Sequence, residues 1–220
     1  MKEEASIVEE WLNKLNNEII SAFHHLDLFK KLGEIIDNNQ ALKKMDNTLL
    51  VWMKKAFSVD LIISIGRICD RDKRTDSLVR FLEELKNKND LLTRERYTGL
   101  WNSSEDNYLF FANKGFDKLA GEGQQYYSLD LIAADIVKIT ESKPIRRILA
   151  YRNQYIAHSD RLKEESPTYT ELFQAFEIIE GIVQRYNLLI RAASFSQLTP
   201  VMQGDWQKVL TIPWINREKY

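Results

Sequence analysis

Cysteine, histidine, proline and glycine are all scarce in this chain, and each shortage closes off a class of protein. The single cysteine, Cys69, can form no disulfide within the chain and fits a reducing compartment. Three histidines and that one cysteine cannot build a Cys/His zinc site, so no metal and no cofactor are expected. Only 8 Gly and 4 Pro in 220 residues leave little material for tight turns and point to long helices. Charge of one sign is also missing. The net charge is -1, so any nucleic-acid contact must come from a local basic patch. Long apolar runs are absent too, because Lys, Asp or Arg interrupts each one before bilayer length. With no signal-peptide pattern, the expectation is a cytoplasmic protein without membrane contact.

What is present is helical periodicity. Ile7, Trp11, Leu15, Ile19, Phe23, Leu26 and Leu32 mark a long amphipathic helix from Ala5 to Ile36. His24 and His25 lie within it as structural or solvent-facing residues, since helix neighbours point apart. The segment Ala41–Cys69 is apolar almost all round after Thr48, which predicts a helix buried in the middle of a bundle. Asp60, Ser64 and Arg67 share one stripe of it, and Asp70 follows one turn later. They form either a buried charge network that fixes helix register or one wall of a polar cleft.

Next, DRDKRTDSL reads as a loop, with Thr75 or Asp76 capping a helix over Ser77–Leu85. A further helix begins near Asp90. Thr98–Ser128 holds four of the glycines, and we expect an irregular or partly helical insertion whose aromatics pack on the core. Helical pattern returns at Leu129–Thr140, at Pro144 and over Thr168–Ala193. The tail from Ser194 should wrap irregularly, with a short helix at Asp205–Leu210. The expected organisation is one all-α bundle over 1–195, with 98–128 as its insertion and 196–220 as the tail.

The segment PIRRILAYRNQYIAHSD, Pro144–Asp160, carries the strongest chemical signal. Ile145, Ile148, Leu149 and Ile156 define an apolar stripe, and Arg152 falls inside it. A guanidinium there must be paired, face a partner chain or await an anionic ligand. Asn153 follows directly and His158 comes six residues on. An arginine, an amide and a histidine can hold a phosphate and move a proton. On an ideal helix Arg152 and His158 stand about 120° apart. The helix must therefore end near His158, or a second chain must complete the site. Basic residues surround the segment and the earlier loop: Arg71, Lys73 and Arg74, then Arg146, Arg147 and Arg161. Each cluster is a solvated face or an RNA-binding patch.

The run Arg152, Asn153, QYIA, His158 resembles the signature of the HEPN superfamily. The stretches ISIGRICDRDKRTDSLVRFL (Ile63–Leu82) and AYRNQYIAHSD (Ala150–Asp160) resemble its abortive-infection branch, the AbiU type. The resemblance implies a helical bundle that dimerises, with a metal-independent endoribonuclease site where two motif helices meet. Arg152, Asn153 and His158 would be its catalytic residues, with Asp60, Ser64, Arg67 and Asp70 in support. It implies a toxin or phage-defence effector, with an antitoxin or defence-system partner. A catalytically silent scaffold that binds RNA, a nucleotide or a protein is the alternative. One position departs from the pattern. Toxins of this group paired with nucleotidyltransferases carry a modified Tyr two residues after the His, and Asp160 stands there.

Overall fold

The computed structural model describes residues 2–44, 47–101, 107–157, 166–201 and 204–212, and among these it is an all-α bundle without strands. The long helices are α1 (Lys2–Asn38), α3 (Thr48–Ile68) and α9 (Tyr169–Arg191). Shorter ones are α2 (Gln40–Lys44), α4 (Leu78–Asn87), α5 (Arg94–Gly99), α6 (Tyr108–Ala120), α7 (Leu129–Glu141), α8 (Lys143–Tyr151) and α10 (Lys208–Thr211). No helix among the described residues is long and apolar enough to cross a membrane.

One core joins these helices. Val8, Leu12, Leu15 and Ile19 run down the buried face of α1 and meet Ile179, Val183 and Tyr186 of α9. The buried stripe of α1 starts at Val8 rather than Ile7, which is exposed. Trp11 is half-buried and packs edge-on against Phe81 of α4. Helix α4 begins one residue later than the sequence suggests. Its cap is Ser77, whose Oγ accepts the Arg80 amide and donates to the Asp70 carbonyl. That second bond ties the start of α4 to the end of α3, which neither Thr75 nor Asp76 does. The 98–128 segment is more helical than irregular. Helix α6 occupies thirteen of its residues, and Phe116 and Tyr127 enter the common core. In the tail, Leu198 is buried and its amide is accepted by Glu180 of α9.

The pattern misleads most at the second segment. It is two helices, and α3 is not buried all round. Leu61, Ile62, Ile65 and Ile68 enter the core, whereas Leu49, Val51 and Trp52 are exposed. All-round hydrophobicity demands cover on every side. Among the described residues, the side of α3 that is covered faces α1, α8, the π turn at Arg152–Ala157 and α9.

Two buried polar clusters fix helix register. Asn16 Nδ2 donates to Asn187 Oδ1 at 2.7 Å, and Asn187 Nδ2 returns a bond to Asn16 Oδ1 at 2.9 Å. Arg185 Nη1 donates to both oxygens of the buried Asp135 at 2.6 Å, and the Tyr186 hydroxyl donates to the same carboxylate. Burial, with the charge of Asp135 beside it, holds the Tyr186 phenol protonated far above its ordinary range.

Asn187→Leu strands the Asn16 amide in the core and should cost about 1–3 kcal/mol. Replacing both asparagines with Leu should cost less than the sum of the two single changes, because no polar group is then left unpaired. Urea unfolding of the four proteins measures this, and strict additivity would show that the amides do not act as a pair.

Candidate functional site

Helix α8 starts with Pro144 in its first turn, where a missing amide leaves no hydrogen bond unmade. Ile145 and Ile148 anchor it in the core. Regular α-helical bonding stops at Tyr151, and Arg152–Ala157 form a wider π turn. Such turns are rare and concentrate at functional sites, because they re-aim the side chains that follow. The angular spacing of an ideal α-helix therefore does not hold between Arg152 and the residues after it.

The Arg152 side chain lies across Gly66 of α3. A Cβ at Gly66 would stand 2.3 Å from Arg152 Cδ and 2.5 Å from Nη1. Only a residue without a side chain admits the guanidinium there. The group is 23% exposed, so it is partly shielded yet reachable. Its Nε donates to Asn153 Oδ1 at 3.0 Å. Its Nη1 stands 3.9 Å from Asp70 Oδ2, an electrostatic contact beyond hydrogen-bond length. Most of its N–H donors thus have no acceptor among the described residues.

Asp70 is held in place from its other side. Its Oδ1 accepts the Asp72 amide at 2.9 Å, and its carbonyl accepts the Ser77 hydroxyl. Cys69 lies beneath, 1% exposed. Burial pushes its thiol up to about 12, against the pull of the nearby Arg152 charge, so it stays neutral and is no nucleophile. Beside the arginine, Gln154 Oε1 is buried and accepts no hydrogen bond from the described residues.

Of the four polar residues singled out on and after α3, the structure brings only Asp70 to Arg152. Asp60 pairs with His25 of α1, with Oδ2 2.7 Å from Nδ1. Arg67 is largely exposed, its Nη1 4.0 Å from Glu18. Ser64, half-buried, lies on the same stripe. That stripe faces the polar edge of α1, so Asp60, Ser64 and Arg67 do not line the Arg152 cleft. His158 and Arg161 lie outside the described residues, as does Asp160.

The basic residues are more engaged than the sequence suggests. Arg71 donates to Glu141 at 2.8 Å, and Arg147 donates to Glu171 at 3.1 Å. Arg74 folds onto Asp72, and those hydrogen bonds pull the Asp72 carboxyl down to about 2. Lys73 and Arg146 are exposed, with no ion-pair partner among the described residues.

Sequence reasoning passed over Gly66. Its signal is a lone glycine inside an apolar helix, where glycine costs helix stability and so marks a close approach. The atoms a new Cβ would meet belong to the flexible end of Arg152, which can swing aside. Gly66→Ala should therefore leave stability in urea unchanged or raise it by up to about 1 kcal/mol, through helix propensity. A loss above about 2 kcal/mol would place the clash in the backbone instead.

The AbiU2 family model of the HEPN group matches residues 5–209, from the first helix to the last short one. Searches of curated proteins and of solved structures found no match. With 5–209 covered, an all-α bundle and Arg152 presented at the end of α8, the chain belongs to the AbiU2 family of HEPN proteins.

Proposed function

We propose that this chain is a metal-independent endoribonuclease of phage or stress defence, acting as a homodimer with its two Arg152 sites near the two-fold axis. The observation that carries the reading is the placement of Arg152: a partly shielded guanidinium seated on Gly66, with most of its donors unpaired among the described residues. A guanidinium recruited for packing alone would be expected to saturate its donors locally.

The chemistry requires no metal. The RNA 2'-hydroxyl attacks the adjacent phosphorus while a base takes its proton. The bond to the 5'-oxygen breaks as an acid supplies a proton, and a cyclic phosphate remains. A histidine can take either proton-transfer role near neutral pH, and we assign that role to His158. Arg152 binds the phosphate by parallel donors and stabilises the charge that develops on it. Asn153, bonded to Arg152 Nε, orients the guanidinium. Asp70, too distant to neutralise it, biases its position. The exposed Arg146 and Lys73 extend the positive surface for RNA, while Arg71, Arg74 and Arg147 must first release their carboxylates. An antitoxin or defence-system partner would restrain such an activity.

Purified protein should cleave RNA in EDTA, leaving a cyclic phosphate or its hydrolysed product. Arg152→Ala and His158→Ala should each slow cleavage at least about a hundredfold, the scale of a lost acid–base group or oxyanion donor. Asn153→Ala should lose less. Wild type that cuts no RNA and binds it no better than the double variant would leave the silent-scaffold reading in place.

A further inference from the structure

Two aromatic residues of the 98–128 segment do not pack on the core, contrary to the expectation from sequence. Phe116 and Tyr127 are buried, whereas Phe110 and Phe111, in the first turn of α6, are 55% and 62% exposed. Ala112 and Phe116, one turn apart, form the buried line of this helix. At 100° per residue, Phe110, Phe111, Lys114 and Lys118 gather on the opposite face. The two phenylalanine rings meet edge to face with centroids 5.5 Å apart. Lys114 Nζ lies 4.5 Å from the centroid of Phe110, a cation against the ring. Lys114 and Lys118 are both exposed, and neither has an ion-pair partner among the described residues.

The helix that presents this face is pinned by α5. Arg94 Nη2 donates to Asp117 Oδ1 at 2.5 Å, and Arg94 Nη1 donates to Asn113 Oδ1 at 3.1 Å. The same guanidinium lies 4.9 Å from the centroid of Phe116. Asp117 is the one acid in α6 and borders the aromatic face, where Arg94 offsets its charge. Glu105 and Asp106 precede the helix in sequence and lie outside the described residues. A fixed surface with two rings and two available cations is the result, and it needs no ordering when a ligand arrives.

We propose that this face of α6 is a second RNA contact, a platform for single strands. Bases stack on Phe110 and Phe111, and Lys114 and Lys118 meet the phosphates that follow. The proposal deepens the ribonuclease reading and rests on it for the identity of the ligand. The combination of groups selects a single strand. Its bases offer free π faces and its backbone a repeated negative charge, whereas a duplex hides the base faces in its own stack. Phe110 to Lys118 spans ~12 Å along the helix, so the cations follow the rings as a backbone track. A helix lying in a membrane interface puts apolar residues and cations on opposite faces. Here they share one. The platform is on a different element from the cleft, since α6 packs on α5 and α9 while Arg152 lies on α3.

Fluorescence anisotropy with a labelled 2'-O-methyl oligouridine of about twelve nucleotides tests this on the wild-type protein, because the proposed reaction cannot cut that strand. The double variant Phe110→Ala with Phe111→Ala should keep its helicity and bind at least about tenfold more weakly, the scale of lost stacking. Phe111→Trp should bind at least as tightly as wild type. Lys114→Gln with Lys118→Gln should lower the slope of log affinity against log salt by about 1.4, the share of two phosphates. A duplex of the same length should be indifferent to loss of the rings. Wild type that does not bind the strand, or a ring variant that binds it as wild type does, would overturn the platform. So would ring-dependent capture of anionic phospholipid vesicles with RNA affinity unchanged. If the rings and lysines act as described but ordinary RNA stays intact in EDTA, the platform stands and the ribonuclease reading falls. If RNA is cut and the ring variant binds normally, the reading stands and the platform falls.

Discussion

The close approach of Arg152 to the backbone of Gly66 is the contact on which the rest of this site depends. It lets α8 end against α3 without a gap, and it places a charged side chain where the sequence pattern calls for an apolar one. The π turn begins at that residue, so the departure from regular helix coincides with the point of contact. Asp70, Cys69 and Ser77 then follow as parts of one arrangement. The end of α3 is tied to the start of α4 by Ser77, which fixes the carboxylate that faces the guanidinium. Above Cys69 the charge has no competing nucleophile, since burial keeps that thiol protonated.

Comparison with the other arginines separates structural from available charge. Arg185 meets Asp135 at 2.6 Å, Arg71 meets Glu141 at 2.8 Å, and Arg147 meets Glu171 at 3.1 Å. These are hydrogen-bonded ion pairs between elements distant in sequence. Arg152 stands 3.9 Å from its carboxylate, too far for a hydrogen bond. A pair at that distance orients the side chain without occupying its donors. Among the described residues, the close carboxylates hold helices together, while Arg152, though partly shielded, keeps its carboxylate beyond hydrogen-bond length.

The bundle itself was legible in the sequence, because helices of this length write their buried faces as repeated apolar positions. Leu15, Ile19 and Phe23 of α1 and Leu172, Phe176 and Ile179 of α9 are buried where that repeat places them. Arg152 was legible by the same rule, as a charge on an apolar stripe. Three features were not. Periodicity reports that a residue is apolar but not whether its own chain covers it, so the outer stripe of α3 read as core. The stripe of Asp60, Ser64 and Arg67 was real, but pattern alone gives no direction, and it turned out to face His25 and Glu18 on α1. Gly66 carries no side chain and so contributes nothing to a pattern of side chains. Its role appears only when a neighbour is seen lying on it.

The central claim is that Gly66 exists to seat Arg152 for phosphate chemistry. The most direct test is single-turnover cleavage of a defined RNA in EDTA by wild type and by Gly66→Ala, with the helicity of both proteins measured in the same buffer. The account predicts a fully folded Gly66→Ala protein that cleaves at least about a hundredfold more slowly, because an evicted Arg152 no longer stabilises the developing charge. A folded Gly66→Ala protein that cleaves at the wild-type rate would contradict it.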